Sequence, residues 1–313
     1  MTPVDNIAHE IDEAPGPASR LARLAQRATI RAIVPFCRFI PSAVFYATGW
    51  LFGTLFYLIS VRYRRLVARN LDLAYGDELS PARKRRIARD SFITFVQEFP
   101  LILKFVHLKS WEVAKMVKVE HEERLQDALS RGRGVALVTG HLSNFSLAVA
   151  RLVRVGYRVG VLRRRQGAEE LISYLVAMVG VRIFYHKEAL LPLARFLKDG
   201  GAVLFMIDQN ARRGVRVPFF GVPAATFTAP VRFAVSMDAI ALPIFIHRER
   251  WGKYVLSIEE PVALIREKSD KAVCDNLLAL SLVLEKYVRR YPDQWFWFHR
   301  RWRHVGEQPE NIG

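Results

Sequence analysis

From Gly134 onward, short apolar runs alternate with segments of helical character, and this alternation constrains the fold more than any other feature of the chain. The runs fall at 135–138, 159–162, 182–185, 203–207, 242–246 and 254–258, and the helical segments around 145–153, 168–179, 187–198 and 229–236. Strands separated by helices line up in a shared sheet whose faces the helices cover. The expected class is therefore α/β, with a mixed, mostly parallel sheet flanked by helices. A helix over about 270–290, stopped by Pro292, closes the domain.

Such a sheet displays its reactive groups beyond the carboxyl ends of its strands. The first run, Val135-Ala136-Leu137-Val138, leads through Thr139-Gly140 to His141, and Leu142-Ser143-Asn144-Phe145-Ser146 then has the small and polar residues of a helix start. His141 is thus expected on display at the sheet edge. Asp208 ends the 203–207 run and shares that edge if the two strands run parallel; the simpler reading of Asp208 is a turn-former or cap.

Composition narrows the partners. Against 30 Asp plus Glu stand 47 Lys plus Arg, a formal charge of +17, which attracts anionic partners such as phospholipid headgroups, acidic carrier proteins or nucleic acid. Cys37 and Cys274 form no CxxC or Cys/His cluster, so neither a disulfide framework nor a zinc site is implied, and a reducing, cytoplasm-facing setting fits. His121-Glu122-Glu123-Arg124 lacks the second histidine of a zinc helix, and there is no Walker loop or GxGxxG run, so metal, nucleotide and nicotinamide chemistry are not expected.

The amino-terminal third reads differently. Residues 1–18 carry Asp5, Glu10, Asp12 and Glu13 without an apolar core and are expected to form a tail, as are 306–313. Over 20–38 Arg20, Arg23, Arg27, Arg31 and Arg38 alternate with apolar residues, the mixture of an amphipathic helix on an anionic membrane surface or of an ordinary solvated helix. Residues 39–60 are uncharged and aromatic but interrupted by Pro41, Gly49 and Gly53, with Arg62, Arg64, Arg65 and Arg69 following. Basic flanks on both sides favour a hairpin or surface-lying helix over a simple crossing. Residues 19–66 are accordingly read as membrane-associating helices and 67–305 as the α/β domain, with Ser80-Pro81 opening a helix that packs on it.

Three segments carry a resemblance. They are Gly140-His141-Leu142-Ser143-Asn144-Phe145; Ile207-Asp208-Gln209 leading through Gly214 to Val217-Pro218-Phe219-Phe220-Gly221; and Gln294-Trp295-Phe296-Trp297-Phe298-His299-Arg300-Arg301-Trp302. Together with Asn70-Leu71-Asp72-Leu73-Ala74-Tyr75, in this order, they resemble the bacterial lipid A late acyltransferases, the lauroyl/myristoyl transferases of the lysophospholipid acyltransferase superfamily. The likeness covers about residues 30–303. It implies a glycerolipid acyltransferase-like fold and an O-acyltransferase of lipid A and lipopolysaccharide biosynthesis at the cytoplasmic face of the inner membrane. The donor would be an acyl carrier protein or acyl-CoA thioester, the acceptor a membrane lipid, and no cofactor, metal or nucleic acid would be involved.

By that resemblance His141 is the general base on the acceptor hydroxyl, and a carboxylate five positions later is its partner. This chain has Ser146 there. A carboxylate fixes the histidine tautomer and stabilises the imidazolium, whereas serine supplies no charge. Three readings follow: Ser146 orients His141, another carboxylate with Asp208 foremost replaces the missing one, or the protein binds lipid without turnover. A Ser146 nucleophile is disfavoured because no GxSxG elbow surrounds it.

Substrate contacts are expected from Asn144 and the Gly140 backbone beside the base, from Gln209, and from Arg163 or Arg164 after the 159–162 run, whose guanidinium would bind phosphate. Arg213, Phe219, Phe220 and Gly221 are expected in a loop lining a channel for headgroup and acyl chain. The tail over 295–302 interleaves aromatics with arginines and is expected to pack on the sheet edge or membrane interface rather than to bind nucleic acid, since no nucleic-acid motif accompanies it.

Overall fold

The structure, a computed structural model, describes residues 25, 28–163, 169–185, 190–267, 269–303 and 305, with the side chains at 169, 170, 190, 212 and 213 outside the description. The helices are α1 (Ser42–Ile59), α2 (Val61–Tyr75), α3 (Pro81–Phe105), α4 (Ser110–Met116), α5 (Glu122–Ser130), α6 (Phe145–Arg154), α7 (Glu169–Val179), α8 (Leu190–Lys198), α9 (Ala229–Ser236) and α10 (Asp270–Arg290). The strands are β1 (Val117–Glu120), β2 (Val135–Thr139), β3 (Val159–Arg163), β4 (Arg182–Tyr185), β5 (Ala202–Met206), β6 (Asn210–Phe219), β7 (Val222–Thr226), β8 (Ile240–Arg250) and β9 (Lys253–Ile258).

Seven strands form one sheet in the order β1-β9-β8-β2-β5-β3-β4. Every neighbouring pair is parallel except β8 and β9, so the sheet is mixed and mostly parallel. β2 is buried at all five positions, as a strand covered on both faces must be. Its alternation splits the core: Ala136 and Val138 join Val203 and Phe205 on one face, while Val135 and Leu137 join Ala202 and Leu204 on the other. The first face carries α10 and the aromatic tail, with Trp295, Trp297 and Trp302 buried, and the second carries α6 and α5.

The register that matters runs between β2 and β5. Val135 stands opposite Ala202 and Thr139 opposite Met206, so two residues past each strand end His141 and Asp208 leave the same edge side by side.

Pro41 precedes α1 as its cap rather than breaking it, and the helix runs unbroken past Gly49 and Gly53. Those glycines are contact points. A β-carbon at Gly53 would lie 2.5 Å from Ile93 Cα and one at Gly49 2.9 Å from Gln97 Cα, so α1 and α3 meet backbone to backbone. Tyr46 anchors the same helix to the sheet, its hydroxyl 3.0 Å from that of Tyr254 and accepting from the Gly252 amide at 2.9 Å. Away from α3 the helix is greasy: Trp50, Leu51, Phe52, Leu55, Leu58 and Ile59 are exposed, as are Ile33, Phe36 and Phe39 before it. By length and composition α1 could cross a bilayer. α3 opens as expected, with the Ser80 hydroxyl accepting from the Arg83 amide at 3.3 Å.

Two elements depart from expectation. The segment with Arg213, Phe219, Phe220 and Gly221 is not a loop but a two-stranded antiparallel hairpin, β6–β7. Phe220 and Gly221 both have positive φ, 55° and 71°, the backbone of a tight primed turn whose twist matches that of the strands. β1, four residues long, pairs in parallel with β9 at the sheet edge and was not anticipated.

Candidate active site

Past the end of β2 the chain passes Gly140, where a β-carbon would meet Leu284 Cδ1 at 2.7 Å and Asp208 Oδ2 at 2.9 Å. The missing side chain lets Asp208 reach over the backbone and grip His141 twice. The His141 amide donates to Oδ2 at 2.6 Å and Nδ1 lies 2.8 Å from Oδ1. A third donor, Trp295 Nε1, reaches Oδ2 at 2.9 Å. Burial of the Asp208 carboxyl pushes its pKa up, but the His141 charge, the ring and backbone hydrogen bonds of His141 and the Trp295 hydrogen bond more than offset this and hold it at about 2.

A carboxylate only accepts, so the proton of neutral His141 sits on Nδ1 and the Nε2 lone pair is free. It faces the Gln209 side-chain nitrogen at 3.2 Å. The His141 side chain retains 19% exposure against 2% for Asp208, so the imidazole is reachable and its anchor is not.

The turn after His141 is fixed by the tail. The Phe296 amide donates to the His141 carbonyl at 3.0 Å, and the Ser143 amide to that of Gln294 at 2.7 Å. Asn144 then caps α6, its Oδ1 accepting from the Leu147 amide at 3.3 Å, while its Nδ2 donates to the buried Glu98 carboxylate of α3 at 3.2 Å. Glu98 also accepts from Arg248 Nη1 and from the Tyr254 hydroxyl, each at 2.9 Å.

On the Asp208 side the tail acts again. The Asn210 amide donates to His299 Nε2 at 2.6 Å, and Arg301 donates to the Gln209 carbonyl at 3.1 Å, the Ala225 carbonyl at 2.7 Å and the Thr226 hydroxyl at 2.7 Å. Burial lowers the His299 pKa to about 4, which keeps that ring neutral and able to accept.

His141 stands in the wall of a cavity of about 160 Å³ that is otherwise mostly apolar, with Phe95, Phe99 and Ile102 of α3 facing Phe145, Phe296 and Phe298. A basic nitrogen beside a greasy slot can take a proton from a hydroxyl whose oxygen attacks a carbonyl carried on an alkyl chain.

Of the residues singled out in the sequence, His141, Asp208, Asn144 and Gln209 come together here. Ser146 does not join them: it lies half-buried in the first turn of α6 and makes no hydrogen bond to the His141 ring, whose two nitrogens face Asp208 and Gln209. Arg163 ends β3, which β5 separates from β2, and it does not line the cavity. Arg164 lies outside the described residues, as does the Arg213 side chain. Phe219 and Phe220 are buried in the aromatic core against Trp295, Trp302 and Tyr75, and neither they nor Gly221 line the cavity.

Glu98, Arg248 and the hydrogen bond from Trp295 were not anticipated. A signal existed for Glu98: a carboxylate one helical turn after Thr94 and one before Ile102, in a stretch from Phe92 to Leu103 that is apolar but for Thr94 and Gln97, must have a buried partner. Trp295 gave none, because 87 residues separate it from Asp208.

Comparison with known proteins shows what the whole chain is similar to. The lipid A biosynthesis lauroyltransferase of Escherichia coli (strain K12) is 25% identical over 279 residues, which span 87% of this chain and 89% of that protein. The crystal structure of the 1-acyl-sn-glycerophosphate acyltransferase PlsC from Thermotoga maritima covers 77% of this chain and 95% of its own at 18% identity, a distant likeness with a TM-score of 0.36. The model of the bacterial lipid A biosynthesis acyltransferases matches residues 21–304, and the chain belongs to that family.

Proposed function

We propose that this protein transfers a fatty acyl chain from an acyl-thioester, carried on acyl carrier protein or coenzyme A, to a hydroxyl of a lipid A precursor or related glycolipid, with His141 as the general base. The observation that carries the proposal is the Asp208–His141 pair opening on an apolar cavity. The acceptor hydroxyl displaces the Gln209 amide from Nε2 and gives its proton to that nitrogen as its oxygen attacks the thioester carbon. Asp208 stabilises the resulting imidazolium. When the tetrahedral intermediate collapses, the carbon–sulfur bond breaks and the imidazolium returns the proton to the thiolate. An ester and a free thiol leave, and no acyl-enzyme forms.

The exposed apolar face of α1 and the arginines after it dock the protein on the cytoplasmic leaflet of the inner membrane, where the acceptor resides. The formal charge of +17 draws in an acidic carrier protein. A second reading, a lipid-binding homologue without turnover, rests on the serine at position 146; Asp208 against Nδ1 favours the catalytic one. The test is product analysis by mass spectrometry, with purified protein, acyl carrier protein or acyl-CoA donors and acceptor lipid. Wild type should form the acylated lipid and His141→Ala should not, with vesicle binding unchanged. Substantial turnover by His141→Ala overturns the assignment of the base.

A further inference from the structure

Nine buried polar side-chain atoms lack a hydrogen-bond partner among the described residues, and Ser143 Oγ is the one of them whose residue lines the cavity. Most other side-chain donors in that wall are engaged: Ser91 donates to the Ile87 carbonyl, Asn144 to Glu98, Gln294 to the Arg248 carbonyl and Trp295 to Asp208, while the Thr94 hydroxyl accepts from Arg248. A buried hydroxyl without a partner calls for an explanation, and a ligand group that completes it is one.

Its backbone points the same way. Ser143 has φ of 46°, the left-handed region that glycine adopts freely and serine does not. The conformation is imposed by neighbours on both sides: the Ser143 amide is tied to the Gln294 carbonyl at 2.7 Å, and Asn144 is tied to Glu98. A residue that lines the cavity is thus held in a strained conformation two positions from His141, with its hydroxyl just beneath the cavity wall.

Building on the acyl-transfer reading, we infer that the Ser143 hydroxyl donates a hydrogen bond to the thioester carbonyl oxygen of the acyl donor. As the acceptor oxygen bonds to the carbonyl carbon, the carbonyl π electrons move onto that oxygen, and a fixed donor holds the growing negative charge more strongly than the neutral carbonyl. Collapse returns the electron pair to re-form the carbonyl as the carbon–sulfur bond breaks. The serine keeps its proton throughout.

Two variants separate this role from a structural one. Ser143→Gly removes the hydroxyl and relieves the backbone, while Ser143→Ala removes the hydroxyl and keeps the strain. Both should lose about a hundredfold in kcat, the order expected for one oxyanion donor, with KM for acceptor lipid little changed. The midpoint of thermal unfolding should rise for both variants, since each removes a buried hydroxyl without a partner, and rise further for Ser143→Gly, which also relieves the backbone. A Ser143→Gly enzyme with wild-type kcat, or variants that raise KM for the acceptor at unchanged kcat, would overturn the inference and leave the acyl-transfer reading standing. Wild-type protein without turnover on either donor would defeat that reading, and with it this inference.

Discussion

Asp208 and Glu98 are both buried carboxylates, both reach the turn that carries His141, and their surroundings treat them in opposite ways. Asp208 collects three hydrogen bonds from uncharged donors or from the base itself, and its carboxyl is held at about 2. Glu98 has a guanidinium at 2.9 Å and yet its pKa is raised, because burial outweighs Arg248 and the hydrogen bonds from Tyr254 and Asn144. An ion pair is therefore no guarantee of a stable anion once both partners leave water. At the sheet edge the His141 charge, with the hydrogen bonds of His141 and Trp295, outweighs the same penalty. The two sites divide the work: Asp208 grips the His141 ring, and Glu98 ties α3, β8 and β9 to the start of α6.

Replacing Asp208 by Asn tests this division hardest. One of its oxygens would become an amide nitrogen facing either the His141 ring or the His141 amide and Trp295, all of them donors. Turnover should fall by about 10⁴, the cost known for the analogous change in a Ser-His-Asp triad. Circular dichroism should show the fold intact. A variant with more than a tenth of wild-type kcat would mean that the pair is structural.

Glu98→Ala should do the reverse. It strands the Arg248 guanidinium, whose side chain is 12% exposed, without its carboxylate. Breaking a buried pair in this way costs about 3–5 kcal/mol of stability. Denaturant unfolding should show that loss, and residual turnover at low temperature should exceed that of Asp208→Asn by orders of magnitude. Equal stability with abolished turnover would move Glu98 into the chemistry and erase the contrast.

The contrast also explains what the sequence revealed. The sheet and its order of strands and helices follow from apolar runs of strand length, which a short window carries. The meeting of His141 with Asp208, 67 residues apart, needed a parallel register as well, Thr139 opposite Met206. Gly49 and Gly53 read as breaks because a window shows only their lack of a side chain, whereas Ile93 and Gln97, which need that space, lie forty residues on. Phe219 and Phe220 read as a channel because apolar residues among arginines look amphipathic; the tail that buries them arrives some 75 residues later, in Trp295 and Trp302. Long-range partners, not local propensity, decided each of these.

Acid unfolding gives the next smaller effect. The Asp208 carboxyl lies below its ordinary 3.8, so its contribution is whole above that pH and is lost as pH falls from 3.8 towards about 2. The loss is about 2 kcal/mol, and Asp208→Asn should lack it. Glu98 has the opposite sign: raised above its ordinary 4.5, it takes up a proton more readily when folded and adds stability as pH falls through its folded pKa. Buried His299 has the reverse sign and loses stability as pH falls from 6.5 towards about 4, so the Glu98 gain is read as the difference between the pH profiles of wild type and Glu98→Gln, which should lack it. Profiles of the same shape would contradict the assignment for Glu98.

Ser146→Ala carries the smallest effect. The position is where the family resemblance calls for a carboxylate, so a serine there looks like a damaged site. The His141 ring, however, has no nitrogen left for it: Nδ1 belongs to Asp208, and Nε2 faces Gln209 and, in the proposed reaction, the acceptor hydroxyl. A half-buried hydroxyl on the first turn of α6 without a bond to the ring has nothing to transmit to the base. Turnover should stay within about twofold of wild type and stability within about 0.5 kcal/mol, the range of substitutions that break no named interaction. A tenfold loss in kcat would show that the hydroxyl reaches the ring during the reaction. The orienting role would then be shared between Ser146 and Asp208, and the lone grip of Asp208 on Nδ1 would describe only the resting enzyme.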